Sequence, residues 1–424
     1  MSFVLRARTR AWTPRLLALA GSLAITAAFA QSTTDPSPPA VASAAAPLTL
    51  GESFRAALAM QPWLAATDER AREQAAREAV AGSWLADAPT LASGIKASNR
   101  ESAREYEVEL SAPVATPARR NLLVATARGE SAVFRSGIEQ QKLKLAGEVR
   151  DVFWALQLAL TEAALADDEV RRADTLSADT ARRTAAGDLA RVDSLQARAL
   201  LRSAQAAQLE AAQRVQAARQ ALQSLTGTTA QAALADGVES RSVATAAALA
   251  AHPSLRQAET AADFARARRN EVSTLTNAAP TLSFALTNER SSSGSPASTA
   301  RIGIAIPFGG STRAAPRIAQ AEAELTEAQA GMRQLQRQLA IEAQGAEQAA
   351  IAAERRVAAL AERAALAQEV ADLYARAYRL GELDLPTRLR TEGERAAAQL
   401  ALSRARIELK HAQSRVNQSL GILP

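Results

Sequence analysis

The chain repeats itself once, and this internal duplication restricts its fold more than any other feature. The tetrapeptide APTL occupies residues 88–91 and again 279–282, and the segment Gly187-Asp188-Leu189 returns as Gly381-Glu382-Leu383. A repeat of this length predicts that one supersecondary arrangement occurs twice and packs against its own copy. The duplication predicts a first repeat and a second repeat, at residues 48–235 and 236–424.

The region before the repeats has the pattern of a secretory signal peptide followed by a linker. Leu16–Phe29 is apolar but too short to span a bilayer, and Ala28–Ala30 is an A-x-A cleavage site. We therefore predict a signal peptide at residues 1–30, with Gln31 as the mature start. Residues 31–47 are rich in Pro, Ser and Ala, which is typical of a flexible linker. The signal peptide carries four arginines and no acidic residue, so its removal lowers the formal net charge from +6 to +2. The high isoelectric point therefore does not indicate nucleic-acid binding.

The composition of the repeats favours long helices of the coiled-coil kind. Ala, Gln, Arg, Glu and Leu dominate, and aromatic residues make up only 4% of the chain. No stretch after the signal peptide approaches roughly eighteen consecutive apolar residues, which predicts no transmembrane helix. The chain contains no cysteine, so neither a disulfide nor a lipid anchor on cysteine is available.

The sequence pattern of each repeat predicts a helix, two strands and then two very long helices. The first repeat has a helical pattern before Pro89, which disfavours helix in the preceding residue. After Pro117 a run without proline continues to a glycine, which supplies the left-handed conformation common at helix ends. The predicted helices of the two repeats are 63–86, 118–185 and 189–225, then 317–380 and 384–419.

Short alternating segments predict the strands. One such segment places Tyr106, Val108 and Leu110 on one face and the acidic side chains of Glu105, Glu107 and Glu109 on the other. In the second repeat, apolar side chains alternate at Ile302, Ile304 and Ile306. Apolar-out, polar-in segments of this length suit strands of a membrane β-barrel, with both apolar faces (Tyr106, Val108 and Leu110; Ile302, Ile304 and Ile306) toward lipid and the glutamates in the lumen. The same periodicity also fits amphipathic strands that cover a soluble core.

The sequence offers little catalytic or metal-binding chemistry. Its two histidines, His252 and His411, lie far apart and in no paired-ligand spacing, and no Gly-rich phosphate loop or nucleophile-elbow motif is present. We predict no metal site, no cofactor and no enzymatic activity. The glutamates at 105, 107 and 109 could serve a hydrolase, but a polar lumen wall is the preferred interpretation.

Several short motifs together resemble TolC-type outer-membrane efflux proteins over roughly residues 48–424. Three segments resemble the family's N-terminal signature: Leu48–Leu50, Ala56–Leu58 and Pro62–Leu64. Tyr378–Leu383 resembles the family's turn, and Asn417–Gly421 resembles its C-terminal end. The stretch Ala300–Phe308, after the short loop Ser291–Ser298, is most similar to the heavy-metal (CzcC-like) branch.

The resemblance implies a fold and a set of site residues. Three copies would each contribute four strands to one twelve-stranded β-barrel, and their helices would form a long periplasmic tunnel. Pro113 and Pro307 would lie at strand-to-helix turns. The periplasmic tip that meets an adaptor protein would contain Gly187, Leu189, Gly381 and Leu383. Asp193 matches the family's acidic tunnel entrance, whereas the equivalent position in the second repeat is Thr387, which departs from that pattern.

The function implied by the resemblance is that of an outer-membrane exit duct in a tripartite efflux system. The implied partners are two further copies of the chain, a periplasmic adaptor, an inner-membrane pump of the RND type and outer-membrane lipid. Heavy-metal cations, organic compounds and secreted proteins all remain open as substrates. A periplasmic coiled-coil scaffold without a pore is the competing interpretation, but such a scaffold has no use for paired strand hairpins.

Overall fold

The computed structural model describes residues 48–98, 103–228, 239–243, 245–290, 295 and 297–424. The predicted signal peptide at 1–30, the predicted linker at 31–47 and the boundary between the predicted repeats lie outside these residues. Most of the loop 291–298 also lies outside them.

The elements follow the order predicted from the duplication. The first repeat contains α1 (Leu50–Ala59), α2 (Pro62–Ala65), α3 (Thr67–Ala81), β1 (Thr90–Ser98), β2 (Ala103–Pro113), α4 (Pro117–Ala185) and α5 (Arg191–Thr226). The second repeat contains α6 (Ala246–Ala250), α7 (Pro253–Thr274), β3 (Thr281–Arg290), β4 (Ala297–Ala305), α8 (Ser311–Leu380) and α9 (Leu385–Ser419). The fold is therefore mainly helical with a small β part, as expected.

Three predicted boundaries were wrong. The helix predicted at 63–86 is two helices that end at Ala81, because the next residues join the sheet: the Ala86 amide donates to the Pro113 carbonyl at 2.8 Å. The helix predicted from 317 begins at Ser311 and includes Pro316 near its start. Strand β4 ends at Ala305, so Ile306 lies just beyond it and before Pro307.

The four strands form one antiparallel sheet in the order β1-β2-β3-β4. Strands β2 and β3 come from different repeats, yet they pair over ten positions, with Val108 opposite Leu286 and Leu110 opposite Phe284. The sheet therefore joins the two repeats by backbone hydrogen bonds. Pairing continues past Pro113, since the Val114 amide donates to the Pro280 carbonyl at 2.7 Å. Pro113 thus ends β2 rather than forming the turn, whereas Pro307 does lie between β4 and α8.

The long helices are the largest elements of the fold. Helix α4 has 69 residues and α8 has 70, so each is about 100 Å long at 1.5 Å per residue. Helix α4 packs against α5, and α8 packs against α9. Many of the buried contact positions along them are alanine, including Ala146, Ala204 and Ala350. Small side chains allow the helix axes to approach closely. The buried core is accordingly divided into several small clusters along the helices.

The largest cluster surrounds the middle of α4. The rings of Phe153 and Trp154 meet edge to face at 5.4 Å, and the Trp154 indole donates to the Ser414 hydroxyl at 2.9 Å. One turn earlier, the buried Arg150 guanidinium donates to both carboxylate oxygens of Glu239, at 3.0 and 2.7 Å. It also donates to the Ile422 carbonyl at 2.9 Å. Arg150 therefore ties α4 to the segment between α5 and α6 and to the C-terminus.

Among the described residues, none of the helices combines the length and the apolar character needed to cross a membrane.

Candidate functional site

One face of the sheet is apolar and exposed. The pairing registers put side chains from all four strands on this face, and we call them the apolar sheet face: Leu91, Ile95, Tyr106, Val108, Leu110, Leu282, Phe284, Leu286, Ile302 and Ile304. Their exposed fractions lie between 40% and 77%, and Ile306 beyond β4 is 63% exposed. A contiguous apolar surface of this kind marks contact with another protein or with a membrane.

The two ends of the apolar sheet face differ in chemistry. At the hairpin end, Arg104 and Arg290 lie directly opposite each other in the β2–β3 register. At the helix end, the exposed aromatic side chains of Trp84 and Phe308 flank the sheet, with 61% and 92% of their surface accessible. Aromatic and cationic side chains at the borders of an apolar band are typical of membrane–water interfaces.

The other face of the sheet is polar and ion-paired, and we call it the polar sheet face. The Lys96 ammonium lies 3.5 Å from the Glu105 carboxylate and 3.6 Å from that of Glu107. The Arg301 guanidinium donates to Glu107 at 3.0 Å. The alternation places six charged residues of the described strands on this face: Lys96, Glu105, Glu107, Glu109, Glu289 and Arg301. Four acids against two bases leave it with a formal charge of −2 for each chain.

The two predicted tip turns come together at the far end of the long helices. Gly187 and Gly381 adopt the left-handed conformation, with φ of +85° and +81°, and nothing lies within 4 Å of an added Cβ at either position. The following Leu189 and Leu383 are half-buried and pack against a shared cluster that contains Leu176, Tyr378 and Leu385. The sequence-predicted tip residues of both repeats therefore form one surface.

The predicted tunnel-entrance positions begin the helices that follow these turns. Asp193 lies in the first turn of α5, and Thr387 occupies the corresponding place in α9. The second repeat carries its acid one turn earlier, at the N-cap residue Asp384. The Asp384 carboxylate accepts from the Thr387 amide at 3.2 Å. Hydrogen bonding from the Thr387 hydroxyl, and next from this amide, lowers the pKa of Asp384. Sequence reasoning missed Asp384, although an aspartate just before Leu385-Pro386 is a recognisable N-cap.

Tyr378 is a second residue that sequence analysis did not assign to the site. Its side chain is 1% exposed, and the guanidinium carbons of Arg183 and Arg388 lie 5.2 and 4.7 Å from its ring centroid. Burial raises the pKa of Tyr378, while the two arginines oppose this shift. The hydroxyl therefore stays protonated at neutral pH. Cation–π contact between groups distant in sequence leaves no local signal.

Within the described ranges, no group of three or more His, Cys, Asp or Glu side chains could hold a metal ion. His252 is the N-cap of α7, where its Nδ1 accepts from the Ser254 amide at 3.2 Å. Its burial lowers the pKa, and the Glu342 carboxylate opposes this shift. His411 lies 2.9 Å from the Asp151 carboxylate. Both histidines thus have structural partners.

Comparison with known proteins agrees with this geometry. A model of the family described as "Outer membrane efflux protein" matches residues 83–228, which include β1, β2, α4 and α5. Over this segment the chain is similar to the outer membrane efflux protein family. A search of curated proteins found no match.

Solved structures of other outer-membrane proteins and channels share the fold over most of the chain. CusC superimposes with a TM-score of 0.73 at 16% identity, covering 88% of this chain and 92% of that one. The outer membrane protein VceC from Vibrio cholerae gives a TM-score of 0.72 at 17% identity, covering 88% and 96%. The CmeC outer membrane channel from Campylobacter jejuni gives 0.68 at 15% identity, covering 88% and 85%. The predicted fold class, mainly helical with a small β part, is confirmed.

Proposed function

We propose that this chain is the outer-membrane channel subunit of a tripartite efflux system and acts as a passive exit duct. One observation carries the proposal: a four-stranded sheet with an exposed apolar face and an ion-paired polar face continues at one end into helices of about 100 Å. The sheet is suited to the outer membrane and the helices to the periplasm. The family match favours such a channel over an enzyme.

The edges of the sheet support assembly into an oligomer. In the described part of the chain, β1 and β4 each pair on one side only. Unpaired backbone groups facing hydrocarbon cost several kcal/mol each, so a membrane sheet must close on itself. Cyclic association of copies closes it, and three copies of four strands give the twelve-stranded barrel implied by the resemblance. The apolar sheet face then contacts lipid, and the polar sheet face lines the lumen.

The charge of the polar sheet face supports cations as the transported class. A formal charge of −2 in each chain becomes −6 in a trimer, and a lumen of that sign concentrates cations. This agrees with the sequence resemblance to the heavy-metal branch. Efflux of organic compounds and type I protein secretion are the alternatives. Delivery requires an inner-membrane pump, of the RND type in our proposal, and a periplasmic adaptor that docks at the tip formed by Gly187, Leu189, Gly381 and Leu383.

Membrane placement and assembly can be tested together. The native chain should fractionate with the outer membrane, begin at Gln31 by N-terminal sequencing, and migrate as a trimer after chemical cross-linking in mild detergent. A soluble periplasmic monomer would contradict the channel and support the coiled-coil scaffold.

The substrate needs a separate experiment. Cells that lack the chain but retain its pump and adaptor should become sensitive to heavy-metal cations, and a plasmid copy should restore resistance. Unchanged metal tolerance combined with sensitivity to organic compounds would indicate organic compounds as the substrates. The proposal that the chain forms a channel would be unaffected.

A further inference from the structure

A cavity of about 810 Å³ lies beside the two glycine turns, and nothing in the channel function accounts for its lining. Helices α4, α8 and α9 supply its charged walls. Six arginines line it, and we call it the arginine cavity: Arg171, Arg172, Arg182, Arg183, Arg379 and Arg388. A volume of this size can hold a small-molecule ligand.

The carboxylates of the arginine cavity already have partners. Asp168 pairs with Arg171, and Asp179 lies 3.6 Å from Arg182. The two remaining acids of the lining, Glu169 and Glu392, both pair with the buried Arg395, at 3.3 and 2.9 Å. Four of the lining arginines have no carboxylate partner among the described residues: Arg172, Arg183, Arg379 and Arg388. The cavity therefore presents an excess of positive charge.

Two of these arginines flank one buried ring, and one of them has a buried donor that lacks an acceptor. Arg183 and Arg388 both contact the ring of Tyr378, with their guanidinium carbons 5.2 and 4.7 Å from its centroid. The Arg388 Nε is buried and has no hydrogen-bond partner within the described structure. A buried donor without an acceptor is costly, and a negatively charged acceptor would both balance the unpaired arginines and supply the missing hydrogen bond.

We propose that the arginine cavity binds a multivalent oxyanion of the phosphate or polyphosphate type, with Arg183 and Arg388 as its principal contacts. Guanidinium groups present paired N–H donors in a planar fork that matches phosphate oxygens, and charge-assisted bonds of this kind are strong. The cavity is larger than one phosphate group, which favours a polyphosphate or a phosphorylated small molecule. The bound anion would hold α4 against α9 beside the Gly187 and Gly381 turns.

The test uses the purified full-length chain in detergent and inorganic pyrophosphate as the probe. Isothermal titration calorimetry should detect saturable binding to the wild type. The double variant Arg183→Gln with Arg388→Gln should weaken binding at least about tenfold, since it removes two charge-assisted contacts.

The chain offers a matched control within the same cavity. Arg171→Gln with Arg182→Gln removes the same amount of charge, but from arginines that already pair with Asp168 and Asp179. This control should change the affinity less than about threefold, because both arginines lie outside the unpaired set. Equal weakening in both double variants, or no binding to the wild type, would overturn the site. Circular dichroism of each variant establishes that the helices are intact. The binding measurement does not depend on efflux, so its failure would leave the channel proposal untouched.

Discussion

The Arg301 guanidinium donates to the Glu107 carboxylate at 3.0 Å, although their strands are not neighbours. The two residues occupy equivalent positions in the two repeats, separated by 194 residues. Strand β3 lies between them, and Ala285, which is opposite Arg301 in the register, is 1% exposed. This small residue leaves room for the arginine side chain to cross the strand. The duplication has therefore produced an acid in one copy and its cationic partner in the other.

Reversal of the Glu107 charge should change ion preference without preventing assembly. Glu107→Arg would place a third cation beside Lys96 and Arg301 on the polar sheet face, and should lower the cation-to-anion permeability ratio about threefold. The measurement is the reversal potential of purified channels in planar bilayers under a salt gradient. The exchange variant Glu107→Arg with Arg301→Glu should restore the ratio. Unchanged selectivity in the single variant would mean that this face does not line the conducting path.

A charge on the apolar sheet face should prevent stable insertion. Ile304 is 67% exposed in the single chain, and we assign its surroundings in the trimer to lipid. Ile304→Arg should cost roughly 2–4 kcal/mol near the bilayer midplane. Thr299→Arg, on the same strand but on the polar sheet face, is the matched control and should assemble normally. Trimer yield from outer membranes compares the two, and equal loss in both would contradict the assigned facing.

Replacement of the two tip glycines should separate folding from export. Gly187→Val with Gly381→Val forces a β-branched residue into the left-handed conformation, at about 1 kcal/mol or more for each site. Open space around both positions means that no steric clash is added. Trimers should therefore form at normal abundance, while the altered turns should abolish efflux in cells that carry the pump. Normal export by this variant would show that the adaptor does not contact the chain at these turns.

Removal of the entrance charge should increase passive leak. Asp193→Ala takes away negative charge at the proposed tunnel mouth and should raise the conductance of small cations through purified trimers. Asp384→Asn removes the corresponding acid of the second repeat but keeps an oxygen that accepts from the Thr387 amide. If both acidic side chains keep the entrance closed, both variants should show a raised conductance of small cations. A leak confined to Asp193→Ala would assign the entrance to the first repeat alone.

His252 should make the chain less stable at mildly acidic pH. Its pKa is lowered by burial in the folded state, so protonation favours unfolding. The stabilisation is complete above the ordinary value of 6.5 and is lost as the pH falls through the lower folded-state pKa. Protonation of Nδ1 also removes the cap on α7. The titratable and charged side chains that line the adjacent pocket with it are Lys144, Glu342, Glu408, His411 and Arg415.

Thermal unfolding followed by circular dichroism can test this expectation. The wild type should lose more stability than His252→Asn between about pH 7.5 and about pH 5, because asparagine caps a helix without titrating in that range. Parallel losses in both proteins would assign the acid sensitivity to other groups.

Both ends of α4 and the C-terminal end of α8 could be predicted because their causes are local. Gly187 and Gly381 end α4 and α8 where the sequence places glycine, and Pro117 starts α4 where proline is tolerated. The alternation of β2 likewise follows from a period of two, which one strand reveals by itself. The prediction of a helix up to residue 86 was wrong because the deciding contacts there are distant in sequence. Its last residues pair with Pro113 and Ala115, and this distant contact outweighed their helical pattern.

Relationships between distant residues were decided by the tertiary structure. The sequence by itself determined the duplication, the order of elements and the two faces of each strand, since these depend on neighbours along the chain. It did not reveal that Arg301 reaches Glu107 across β3, or that Arg183 and Arg388 both contact the ring of Tyr378. Those contacts depend on strand register and on the packing of α4 against α9. Contacts between residues so far apart in the chain produce no repeating pattern in a single sequence. They cannot be predicted from it, because only the folded backbone brings these groups within a few ångströms of each other.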